Sequence, residues 1–90
     1  LHFDHCGGTT EWGADGQAKV AFPHAKIYVQ QAHYGWAKTP NERERASFLP
    51  ENLSPLSESG QLELLSGEQE LLPGLRLLVF SGHTEAQQLP

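Results

Sequence analysis

The sequence has no long apolar run. Its longest candidate, Leu75-Arg76-Leu77-Leu78-Val79-Phe80, is only strand length, far short of the roughly 18–20 residues that span a bilayer, so no membrane partner is expected. Basic residues are scarce: six Lys and Arg stand against eleven Asp and Glu, a net charge of −5 with no basic cluster. Phosphate contacts from Lys and Arg carry nucleic-acid binding, and this chain has no patch to supply them. Cysteine is nearly absent as well. Cys6 stands alone and cannot form an internal disulfide, so nothing points to a disulfide-stapled secreted scaffold, and the expected compartment is the cytoplasm. Methionine is missing, and no charged and then apolar leader precedes the body of the chain. The expectation is therefore a processed or internal piece of a longer protein.

What is present is ordinary globular composition, 38% hydrophobic and 19% charged, with nine Gly and six Pro. Ninety residues make one small unit, 1–90, whose stability alone is marginal. Residues 1–17 are punctuated by Gly7, Gly8, Gly13 and Gly16 and read as loop. Lys26 to Gln30 is β-branched and aromatic, bounded by Pro23, and reads as a strand. Gln31 to Lys38 reads as a short helix stopped by Pro40. Asn41 is placed to cap a second helix from Glu42 to about Leu49, ended by Pro50. The Ser-, Pro- and Glu-rich stretch from Glu51 to Gly60 reads as loop. Gln61 to Leu65 and Gln69 to Leu72, joined by Ser66-Gly67-Glu68, read as a hairpin. Pro73-Gly74 then turns the chain into the strand Leu75 to Phe80. That strand suits a sheet buried on both faces; left uncovered, it is expected to promote self-association by edge pairing. The pattern is α/β, a mixed sheet with flanking helices.

Two constellations carry chemistry. His2-Phe3-Asp4-His5-Cys6-Gly7-Gly8 gathers imidazoles and a carboxylate, common ligands of zinc and similar ions. In an extended or turning segment His2 and Asp4 point one way and His5 the other, so one loop can feed two neighbouring metal positions. Cys6 is a possible ligand by chemistry but reads as a small packing residue. The second constellation, Gly82-His83-Thr84, lies at the end of the most apolar strand, where rigid elements hand over to loops. Taken singly, the first string is a common solvated turn and the second triplet occurs in many loops. Trp12, Tyr34 and Trp36 read as packing residues rather than pocket walls, and His24 and His33 as structural or exposed.

Together, in order and spacing, these segments resemble the metallo-β-lactamase superfamily. Leu1-His2-Phe3-Asp4-His5-Cys6-Gly7-Gly8 is similar to the tail of its His-x-His-x-Asp-His signature, and Phe80-Ser81-Gly82-His83-Thr84 to its apolar strand leading into Gly-His-Thr. Pro23 to Val29 and Glu63 to Leu75 resemble the intervening strand and hairpin of lactonase-like and parathion-hydrolase-like members. The resemblance covers nearly the whole chain.

The resemblance implies part of a four-layer αβ/βα sandwich and a metal-dependent hydrolase. Such an enzyme acts on a small-molecule ester, lactone, thioester or amide through metal-activated hydroxide. It implies two zinc ions, His2 and His83 on one and Asp4 and His5 on the other, with Asp4 handling the proton of the hydroxide as the catalytic group. These four side chains are then expected to converge. Iron or manganese are the other metals the resemblance allows. An iron-dependent oxidoreductase or dioxygenase using the same ligands is the alternative within the fold, and a non-catalytic module with incidental histidines is the alternative outside it. Where many members continue with Pro-Gly-His after Gly-His-Thr, this chain has Glu85-Ala86-Gln87, so Gln87 stands where they have a second His.

Overall fold

The computed structural model describes residues 1–90. In chain order it contains α1 (Phe3–Cys6), β1 (Thr10–Trp12), β2 (Ala18–Val20), β3 (Ile27–Gln30), α2 (Gln31–Lys38), α3 (Pro50–Glu58), β4 (Leu62–Leu65), β5 (Gln69–Leu72), β6 (Leu75–Phe80) and β7 (Gln87–Leu89). The class is α/β, as expected.

Three small sheets replace the single mixed sheet: β1 pairs β2 antiparallel, β3 pairs β4 parallel, and β5-β6-β7 form an antiparallel meander. Side-chain amides link the last two sheets. Gln88 on β7 donates to the Tyr28 carbonyl of β3 at 2.7 Å, and Gln30 donates to the Gln88 side chain at 3.2 Å. Glutamine thus bridges β3 and β7 where backbone pairing would have made one sheet.

Parallel strands cannot be joined by a tight turn, and α2 and α3 form the crossover between β3 and β4. The segment read as loop from Glu51 to Gly60 is mostly α3. Pro50 at its first turn and Glu51 beside it are favourable at a helix start. Pro55, five residues on, lies inside the helix and is buried. Conversely, the helix expected from Glu42 to Leu49 shrinks to one 3-10 turn, Arg45–Ser47. Asn41 does cap as expected, its Oδ1 accepting from the Glu44 amide at 2.9 Å. Pro50, however, holds Leu49 extended and leaves no room to propagate the helix.

The expected hairpin of β4 and β5 is also corrected. Each strand pairs elsewhere, and the Gly67 loop between them is held by Gln30, which accepts from the Gly67 amide at 2.9 Å and donates to its carbonyl at 3.1 Å. The hairpin is instead β5–β6, turned by Pro73-Gly74 with Gly74 at φ 83°, a conformation residues with a Cβ avoid. Within residues 1–17, α1 and the first strand of the β1–β2 hairpin replace the expected loop. Asp15 Oδ1 accepts from the Gln17 amide to close that hairpin's turn, and α3 packs against it, with Thr10 donating to Asn52 at 3.0 Å.

The core is thin. Fourteen of 90 residues are buried, and among the apolar ones only Leu56 is almost fully enclosed. Nor is β6 buried on both faces: Leu77 is, whereas Leu78 and Phe80 are exposed on the other face. Its edges are covered by β5 and β7, so its open surface is a face, not an edge. No helix is long and apolar enough to cross a membrane.

Candidate functional site

His2 immediately precedes α1 and its carbonyl accepts from the amides of both His5 and Cys6. The string is therefore a helical turn, in which His2 and Asp4 do not share a side as expected. In a turn, positions three apart share a side, so His2 and His5 both face His83. Their rings lie 4.8 and 5.7 Å from its ring, centroid to centroid. Asp4 instead flanks His5, with Oδ2 3.5 Å from Nε2. Cys6 is buried, its thiol donating to the Leu1 carbonyl, and burial pushes its pKa up.

The closest approach across the site is between His2 Nδ1 and His83 Nε2, at 3.2 Å. His83 stands exposed in the loop that follows β6, and His2 is buried beneath it. The loop is tightly built. Ser81 Oγ accepts from the Ala86 amide, and buried Ala86 takes a left-handed φ of 51°. His33, read as structural or exposed, is buried on α2 and fastens the loop from below, its Nδ1 donating to the Glu85 carbonyl at 2.6 Å. His24 is exposed.

Sequence reasoning missed Glu44. Its carboxylate is buried, and Oε2 accepts from the Trp36 indole and from Thr84 Oγ1. The same oxygen lies 3.8 Å from His2 Nε2. Burial alone would raise its pKa, but the bonds from Trp36 and Thr84, with His2 nearby, hold it below the usual carboxylate value. Burial and the neighbouring His83 lower the pKa of His2, with Glu44 partly opposing them. His2 is thus held neutral, the form that binds metals. The signal for Glu44 was available only in part: an acidic residue after an Asn cap suggests a helix start, not a buried acceptor. Trp36 packs as expected and also serves as its donor, whereas Trp12 is 66% exposed.

A cavity of about 250 Å³ opens beside these groups, lined by His2, His5, His83, Tyr28, Gln30 and Gln87 among others. Two nitrogens each about 2.0–2.1 Å from a tetrahedral zinc lie about 3.3 Å apart, close to the 3.2 Å between His2 Nδ1 and His83 Nε2. The pair fits as two ligands of one ion. Asp4 and His5 form a second, exposed pair. No three His, Cys, Asp or Glu side chains are grouped closely enough to hold an ion by themselves, so each pair falls short of the three protein ligands usual at catalytic zinc.

No protein-family model matches the chain. Among curated proteins it is similar to N-acyl homoserine lactonases: 34% identical over 88 residues to one from a Bacillus species, 32% to one from Bacillus cereus and 30% to one from Bacillus thuringiensis. Each match takes in 98% of this chain and 28% of the relative. The chain thus spans little more than a quarter of the length of the proteins it matches.

Proposed function

We propose, on the premise that the chain is homologous along its length to lactonases of the metallo-β-lactamase superfamily, that it forms part of the metal centre of a hydrolase. The observation that carries the reading is the meeting of His2 Nδ1 and His83 Nε2 at 3.2 Å, the ligand spacing of one tetrahedral ion. In this reading His2 and His83 hold one divalent ion, zinc by ligand type, and Asp4 and His5 serve a second. Such ions, when bound, polarise a carbonyl and acidify water. The chain's own residues supply the rest: buried His2 is held neutral, Asp4 accepts a proton at its exposed carboxylate, and the cavity admits a small substrate.

The substrate class is a lactone or related ester, with an N-acyl homoserine lactone the first candidate because the relatives carry that name. Lactonase relatives favour hydrolysis over the iron-dependent oxidoreductase alternative. The four-layer sandwich belongs to the same proposal, supported by the parallel crossover from β3 to β4 and by the glutamine bridge that extends this layer toward β7. Cytoplasmic residence is also part of it, supported by the free, buried Cys6.

A chimaera tests the reading. Residues 1–90 replace the matching stretch of the Bacillus cereus lactonase, and ring opening of an N-acyl homoserine lactone is followed by acid release. Chelator-sensitive turnover that is lost with His83→Ala is expected. A folded chimaera that turns over equally well with His83→Ala would overturn the assignment.

A further inference from the structure

We propose that Glu44 is a positioning residue that fixes the tautomer of His2, keeping the proton on Nε2 and turning the Nδ1 lone pair toward His83. The inference deepens the metal-centre reading above, yet its first measurement is made without metal.

His2 Nε2 is buried and has no hydrogen-bond partner. The nearest group able to answer it is Glu44 Oε2, at 3.8 Å. That oxygen is held in place by Trp36 Nε1 and Thr84 Oγ1, while Asn41 anchors the backbone of Glu44. A bare nitrogen lone pair facing a buried carboxylate is repelled, whereas an N–H facing it is attracted, and low dielectric strengthens the difference. The ring carries one proton when neutral. With that proton on Nε2, the Nδ1 lone pair is left 3.2 Å from His83 Nε2. In the metal-free chain His83 donates to it; with a cation present, both nitrogens can offer lone pairs to the same point. Carboxylates that accept the far N–H of a ligating histidine fix its orientation and raise its basicity, and their loss typically weakens metal binding by about 10–100-fold.

Glu44 also joins α2 to the His83 loop through Trp36 and Thr84, so a purely structural role must be told apart. The test is long-range proton–nitrogen NMR of the ring nitrogens in the metal-free 90-residue chain, for wild type, Glu44→Gln and Trp36→Phe, followed by calorimetric titration with zinc ion alone. Wild-type His2 is expected to carry its proton on Nε2. Glu44→Gln is expected to raise the Nδ1-protonated share several-fold and to weaken zinc binding by about 10–100-fold. Trp36→Phe, which keeps the carboxylate, should retain the wild-type tautomer. Wild-type His2 protonated on Nδ1, or a folded Glu44→Gln with an unchanged His2 spectrum, would overturn the proposal. If Glu44→Gln does not fold, wild type and Trp36→Phe decide it: Nε2–H in both supports it, and Nδ1–H in either sinks it. A wild-type chain that shows Nε2–H but takes up no zinc defeats the metal reading and leaves this one standing.

Discussion

His2 and His83 are separated by 81 positions in the sequence, and their ring nitrogens meet at 3.2 Å. The two differ in burial: His2 is enclosed and His83 exposed. The exposed partner can therefore be removed without opening the core. His83→Ala is expected to cost about 1–3 kcal/mol of stability, because it takes the hydrogen-bond partner from the buried Nδ1 of His2. It should weaken zinc binding by more than about 100-fold, since losing a ligand costs more than losing its outer partner. Thermal melts and zinc titration, run side by side, check both halves. A variant that binds zinc as tightly as wild type ends the pairing.

The 90-residue chain by itself is expected to be a poor hydrolase. Each of its two pairs offers two side chains, and catalytic zinc usually has three plus water. With zinc supplied, lactone ring opening should lie near the uncatalysed rate. Fast, chelator-sensitive turnover by these residues alone would show that the centre is complete within them.

Self-association is expected through the open face of the β5-β6-β7 sheet. Leu78 and Leu89 are direct cross-strand partners, and Phe80 lies on the same face two residues on. All three are exposed, at 36, 43 and 49% respectively. The strand edges of β6 are already paired, so association by stacking faces replaces the edge pairing expected from sequence. Light scattering across concentration should show mass above the monomer, and Phe80→Lys should lower it. A wild-type chain that stays monomeric at every concentration contradicts this.

Acid should destabilise the fold through His33. Burial holds its pKa below the ordinary value, while in the unfolded chain it titrates near about 6.5. Below that pH the unfolded state binds the extra proton first, so stability falls as pH drops from about 6.5 toward the folded value. Above pH 7 the contribution is complete and flat. Melting temperatures from pH 8 to pH 5 should decline through this window, and His33→Gln should flatten the decline. An equal slope in both proteins would assign the acid sensitivity elsewhere.

Much of the secondary structure was legible. The strands β3 and β6 follow from β-branched and apolar runs bounded by Pro and Gly, and α2 ends ahead of Pro40 as its breaker dictates. Asp15-Gly16 closes a hairpin and Pro50-Glu51 starts α3, and both are turn or start signals within stretches whose composition reads as loop. These differences are local: Pro and Gly read as loop by composition where their position makes them helix starts or hairpin turns. The separation of β4 from β5 has a non-local cause. A three-residue Gly loop is sufficient for a hairpin, but β4 has a competing partner in β3, and burying β3 beside it won.

The sequence by itself determined the ligand types, their order and the strand that delivers His83, because those depend on side-chain chemistry and on periodicity along a short stretch. Only the tertiary structure decided that His2 and His5 share a side, because whether a string is extended or helical sets which residues face together. It also decided that Glu44, drawn inward by Trp36 and Thr84, answers the buried edge of His2. Burial of a carboxylate depends on donors brought from 8 and 40 positions away, and no local pattern records them.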